Sequence, residues 1–147
     1  MKIVFGCDPN ATEFKLQLME YVKGLGHEVA DLGSDDPIYA NTAIEVAKAV
    51  AAKEYDRGII VCGTGIGVSI AANKVKGIRA AVVTNAFCAK ATREHNDANM
   101  MAMGGRVVGP GLAMEIVDAF LDTPFSGAER HARPIEMIGD IEKKYNK

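Results

Sequence analysis

The chain has 147 residues, 48% hydrophobic and 24% charged, which are the proportions of one globular domain rather than of a disordered or fibrous chain. A net charge of −2 with scattered Lys and Arg argues against a nucleic-acid partner, since a phosphate-backbone surface needs clustered basic residues. Cys7, Cys62 and Cys88 form no Cys-x-x-Cys pair, so neither a disulfide framework nor a zinc site is indicated, and a reducing, cytoplasmic setting is expected. The apolar run "IVF" is too short for a secretory signal and no stretch approaches a membrane span, so no membrane partner is expected either.

Short β-branched runs alternate with stretches of helical spacing, a pattern that predicts βαβ units on a parallel sheet of five strands. The first strand runs from Lys2 to Gly6. A helix follows over Thr12 to Gly24, placing Phe14, Leu18, Val22 and Leu25 on one face. "HEVADLG" is the second strand, and a helix near Tyr39 to Ala52 leads to the third, "RGIIV", whose apolar run suits a strand covered on both faces. Next come a helix through "VSIAANK", a strand from Ala80 to Thr84, a helix "AFCAKATREH", a strand "NMMAMG" and a helix from Gly111 to Leu121. Pro134, a favourable first-turn residue, is expected to open a charged C-terminal helix over 134–145. With no repeat or linker, residues 1–147 read as a single domain.

Ligands of open parallel sheets bind beyond the carboxyl ends of the strands, where the amides of strand-to-helix turns converge. Here those turns are "GCDPN", "CGTGIG", "TNAF" and "GGRVVG". "CGTGIG", Cys62 to Gly67, matches neither the P-loop nor the dinucleotide fingerprint. Its glycines allow successive N–H groups to point at one anionic oxygen, backed by a helix N-terminus. A thiol in that setting is favoured as thiolate and can serve as a base, while a tight turn around a buried cysteine is the plainer alternative. A second cluster is "REHNDAN", Arg93 to Asn99, in which His95 is either a general acid–base group or a polar helix end. His27 has a weaker case as a solvated residue after a helix stop, and His131 lies in "ERHAR" beside arginines suited to a phosphate. Cys7 and Cys88 are expected to pack in the core.

"GCD", "CGTGIGVSIAANKVKGIRAA", "REHNDANMMAMGGRVVG" and "ERHAR" together resemble the ribose-5-phosphate isomerase B and galactose-6-phosphate isomerase family over nearly the whole chain. The resemblance implies a three-layer α/β/α, Rossmann- or flavodoxin-like domain. It implies homodimers whose active sites draw on both subunits, and interconversion of aldose and ketose phosphates with no metal or other cofactor. By resemblance, Cys62 is the base that moves a proton through an enediolate, steadied by the amides of Gly63, Gly65 and Gly67. Thr64 contacts the reacting oxygens, His95 helps open the sugar ring and Asn96 orients the sugar or the oxyanion. Asp8 would bind sugar hydroxyls. Arg106 and Arg130 would hold the phosphate, with Arg130 serving the neighbouring subunit's site.

The chain departs from the family pattern at three places. Pro9 follows Asp8 where ribose-5-phosphate isomerases of this type carry His, and proline offers neither a side-chain nor a backbone donor. Asp36 precedes Pro37 where Tyr is common, so a carboxylate replaces an aromatic hydroxyl expected at the sugar. Four residues after Arg130 stands Pro134 rather than a second arginine, leaving Arg133 as the substitute phosphate ligand. These positions lie around the substrate's ends, so the resemblance implies the reaction and leaves the sugar open. Ribose 5-phosphate with ribulose 5-phosphate is the default pair; a tetrose, hexose or other pentose phosphate, a galactose-6-phosphate isomerase subunit, and a non-catalytic sugar-phosphate-binding module are the alternatives.

Overall fold

The structure, a computed structural model, describes residues 1–33 and 35–145. In chain order its elements are β1 (Lys2–Cys7), a 3-10 turn (Pro9–Ala11), α1 (Thr12–Gly24), β2 (Glu28–Asp31), α2 (Tyr39–Ala51) and β3 (Arg57–Cys62). There follow α3 (Ile66–Ala72), β4 (Ala80–Val82), α4 (Ala86–Asn96), β5 (Met100–Gly104), α5 (Pro110–Asp122) and α6 (Glu129–Tyr145). The five strands pair in the order β2-β1-β3-β5-β4, every pair parallel, giving the expected α/β architecture.

Alternation along the three central strands divides the core into two layers. Ile3, Phe5, Ile59, Val61, Met101 and Met103 pack with Leu18 and Val22 of α1 and with Ile116, Val117 and Phe120 of α5. Val4, Ile60, Met100 and Ala102 face the other way, against Val46 and Val50 of α2 and Val68 and Ala72 of α3. Fully burying a side chain of this size contributes about 1.5–3 kcal/mol, so the period-2 pattern of these strands fixes which helix covers which face. Lys15 on α1 is buried and pairs with Asp31 at 2.6 Å, tying the end of β2 beside Cys7. Burial pushes the Cys7 thiol above its usual range, which agrees with its expected place in the core.

Four expectations are corrected. β4 stops at Val82 rather than Thr84, because Asn85 already caps α4 by accepting the Cys88 amide at 2.8 Å. α3 starts at Ile66, two residues early, since left-handed Gly65 turns the chain directly into the helix. α6 starts at Glu129, so Pro134 lies inside it; the ring leaves the Arg130 carbonyl without its helical N–H, a cost tolerated on a helix with no buried residue. Cys88 is exposed beside Phe87, because Ala89 and Thr92 are the residues α4 turns inward. No helix among the described residues is long and apolar enough to cross a membrane.

Candidate active site

β3 delivers Cys62 to the carboxyl end of the sheet, where the chain turns through Gly63 and Thr64 into α3. The thiol is only 6% exposed and accepts the Gly65 amide at 3.0 Å. Gly65 has φ +82, and a Cβ there would lie 2.9 Å from the Met103 carbonyl carbon, so both backbone and space require glycine. The Thr64 hydroxyl accepts the Ile66 amide at 3.2 Å and the side chain stays exposed. The loop thus directs one backbone N–H, that of Gly65, at the Cys62 sulfur, and the Ile66 N–H at Thr64.

Next to it opens a cleft of about 240 Å³ between the carboxyl ends of β1 and β3, where the strand order reverses. Cys62, Gly63, Gly105 and Arg106 form one wall, and Asn10, Phe14 and Gln17 the other. Arg106 is anchored by its amide to the Gly63 carbonyl at 3.1 Å, and its exposed side chain runs alongside Gly63. Asp8 stands at the lip: its amide donates to the Val61 carbonyl at 3.1 Å, and its Oδ1 accepts the Asn10 amide at 2.9 Å. Pro9 occupies the first position of the 3-10 turn, where a missing N–H costs nothing.

Asp36 is engaged by its own loop and by the start of α2. Its two oxygens accept the Ile38 amide at 2.8 Å and the Asn41 side chain at 2.9 Å, and these bonds, the Asn41 one foremost, hold the carboxyl below its usual range. Tyr39 instead supplies an aromatic hydroxyl near the loop. Its ring covers Gly67 so closely that a Cβ there would sit 2.8 Å from the phenolic oxygen.

His95 lies elsewhere. α4 begins beyond the carboxyl end of β4 and runs back across the sheet, so its last residues His95 and Asn96 precede the amino end of β5. In the β3–β5 register, Gly58 at that end pairs with Met100, whereas Cys62 pairs with Gly104. Four strand residues at about 3.3 Å each separate the two ends. Within one chain, Cys62 and His95 are on opposite ends of the sheet. The exposed His95 ring stacks on His131 of α6 with centroids 4.4 Å apart, and His131 Nδ1 meets the Ser126 hydroxyl at 2.6 Å. Burial, with smaller contributions from His95 and Arg130, holds His131 below its usual range.

Residues 3–138 match the sequence pattern of the Ribose/Galactose Isomerase family. The chain belongs to that family. It is 45% identical over 148 residues to the ribose-5-phosphate isomerase B of Escherichia coli, covering 99% of each chain. The structure of ribose-5-phosphate isomerase B from Clostridium thermocellum superposes with a TM-score of 0.94 at 50% identity, covering 99% of both chains. That of Mycoplasma genitalium ribose-5-phosphate isomerase B, which holds ribulose 5-phosphate, gives 0.91 at 37% identity and 97% coverage of both.

In this family member, the sequence-predicted residues fall into two groups. Cys62, Gly63, Thr64, Gly65, Gly67, Asp8 and Arg106 gather at the carboxyl end of the sheet. His95, Asn96 and Arg130 gather at the other end with His131. Arg133 follows Arg130 on α6, its 70% exposed guanidinium 3.4 Å from Glu136. Asn10, Gln17 and Tyr39 were not singled out from sequence. A short loop after Asp8 signalled Asn10, while the Tyr39 contact with Gly67 is a tertiary one with no local signal.

Proposed function

We propose that the protein is an aldose–ketose isomerase that interconverts ribose 5-phosphate and ribulose 5-phosphate as a homodimer with two shared active sites. The observation that carries this reading is a sulfur with a backbone amide aimed at it, on the wall of a cleft that also holds an exposed arginine. His95 opens the ring by general acid–base action, giving the open-chain aldehyde. Cys62, as thiolate, takes the proton from C2; the electron pair moves to the carbonyl oxygen, and the enediolate is stabilised by the loop amides. Thr64 relays a proton between the two oxygens, and the thiol returns its proton to C1. Asp8 holds sugar hydroxyls, Asn96 orients the chain, and Arg106 and Arg130 hold the phosphate by charge-assisted bonds.

The separation of the two residue groups supports shared sites, since a second copy related by a two-fold axis can bring its His95, Asn96 and Arg130 to the Cys62 cleft. A surface suited to that copy exists: Ile66 and Ile70 of α3, Val82 of edge strand β4 and Phe87, 79% exposed, are apolar and uncovered. α6 adds exposed Met137, Ile138 and Ile141. Three free thiols support a reducing, cytoplasmic setting.

Turnover against a panel of tetrose, pentose and hexose phosphates, with Cys62→Ala alongside, tests the reaction. The expected result is turnover of ribose 5-phosphate that falls about 10²–10⁴-fold or more in the variant, the usual contribution of a positioned base. Preference for another sugar phosphate would replace ribose 5-phosphate as the substrate and keep the reaction class. No turnover of any sugar would leave a binding module.

A further inference from the structure

The end of α4 is held by an arrangement of charges that neither cleft chemistry nor core packing requires. Arg93 is 2% exposed, yet its Nη1 donates to Asp97 Oδ1 at 2.8 Å and to the Ala98 carbonyl at 2.6 Å, and its Nε reaches the Thr123 carbonyl at 3.3 Å. Arg79, just before β4, donates from Nε to the Asn96 carbonyl at 2.9 Å, and from Nη2 to the Asp97 carbonyl at 2.9 Å and Asp97 Oδ2 at 3.4 Å. Two guanidinium groups thus occupy both Asp97 oxygens and three successive carbonyls. Asp97 itself is left-handed at φ +46, a conformation uncommon outside glycine, and it terminates the helix two residues after His95.

With the Asp97 side chain 40% exposed, these ion pairs add little stability, but their hydrogen bonds fix geometry. What they specify here is where the helix stops and therefore the direction in which exposed His95 projects. We propose that Arg79, Arg93 and Asp97 are positioning residues that fix His95 for ring opening in the partner's cleft. This rests on the acid–base role given to His95 above. Planar, bidentate guanidinium groups suit the task, as a flexible lysine does not.

The test is kcat with ribose 5-phosphate for the wild type, Arg79→Gln, Asp97→Asn, His95→Gln and the double variant His95→Gln/Arg79→Gln, together with unfolding midpoints and dimer content. Arg79 lies at the partly exposed edge of the clamp, so its variant keeps the core intact. Misplacement by about 1 Å costs up to roughly 10²-fold in rate, so a loss of about tenfold or more is expected in each clamp variant, with KM nearly unchanged. Acting through His95, Arg79→Gln adds no further loss in the His95→Gln background. Unchanged kcat in the clamp variants, with His95→Gln impaired, overturns the clamp alone. Losses that multiply in the double variant also overturn it, as they mark a merely structural role. Wild-type turnover in His95→Gln overturns the role of His95 and the clamp with it.

Discussion

At the carboxyl end of the sheet, Cys62 is placed by its neighbours in sequence: the amide that meets its sulfur belongs to Gly65, three residues on. At the amino end, His95 owes its placement to Arg79, whose acceptor Asn96 is 17 residues away, and to Thr123, 30 residues beyond Arg93. The loop of the first half-site is shaped by glycines, two of which, Gly65 and Gly67, leave no room for a Cβ; the second half-site is made of side chains on a helix end. A loop of the first kind is written contiguously in the sequence, although the fold must still bring Asp8 and Arg106 to it. A half-site of the second kind is assembled only when the chain folds.

The comparison breaks most severely at Gly65. Gly65→Ala forces a left-handed alanine and a Cβ against the Met103 backbone, so a loss of about 2–4 kcal/mol is expected with near-complete loss of turnover. Gly77→Ala is the control: φ is +84 there too, but a Cβ would meet open space, so only about 1–2 kcal/mol is expected, with kcat retained. Thermal unfolding and kcat separate the two.

A smaller effect sharpens the other half. Arg130→Ala removes a charged phosphate ligand and should raise KM about 10–100-fold, following the roughly 1.5–3 kcal/mol of a hydrogen bond to a charged group. Arg133→Ala, already paired with Glu136 on the surface, should change KM by less than about twofold.

The smallest effect is on pH. His131 in the folded protein lies below its ordinary value of 6.5, so the folded chain binds fewer protons there than the unfolded one. Stability from this ring is present above pH 6.5 and is lost as pH falls through that value toward the folded pKa. Unfolding midpoints between pH 8 and pH 5.5 should therefore drop less in His131→Asn than in the wild type, on the ordinary histidine scale.

Much of this was legible beforehand for physical reasons. The strands announced themselves because β1, β3 and β5 are apolar on both faces, and the Cys62 loop because its glycines cluster after a strand, with Gly65 left-handed. α6 was misplaced because Pro134 looks like a helix start, whereas on an exposed helix an interior proline is affordable. Asp36 was expected at the sugar because the family places an aromatic there; its carboxylate accepts the Ile38 amide and the Asn41 side chain, and Tyr39 supplies an aromatic ring over Gly67. Arg93 stood in a polar-looking motif, and nothing local shows that it is buried.

The central claim is that each active site combines Cys62 of one chain with His95 of another. The impaired Cys62→Ala and His95→Gln proteins, mixed, dissociated and reassociated, form hybrid dimers carrying one intact site. The account predicts recovery of about a quarter of wild-type turnover from random pairing in a two-fold dimer. No recovery from a mixture that demonstrably contains hybrids would contradict it, since both residues would then serve the same chain.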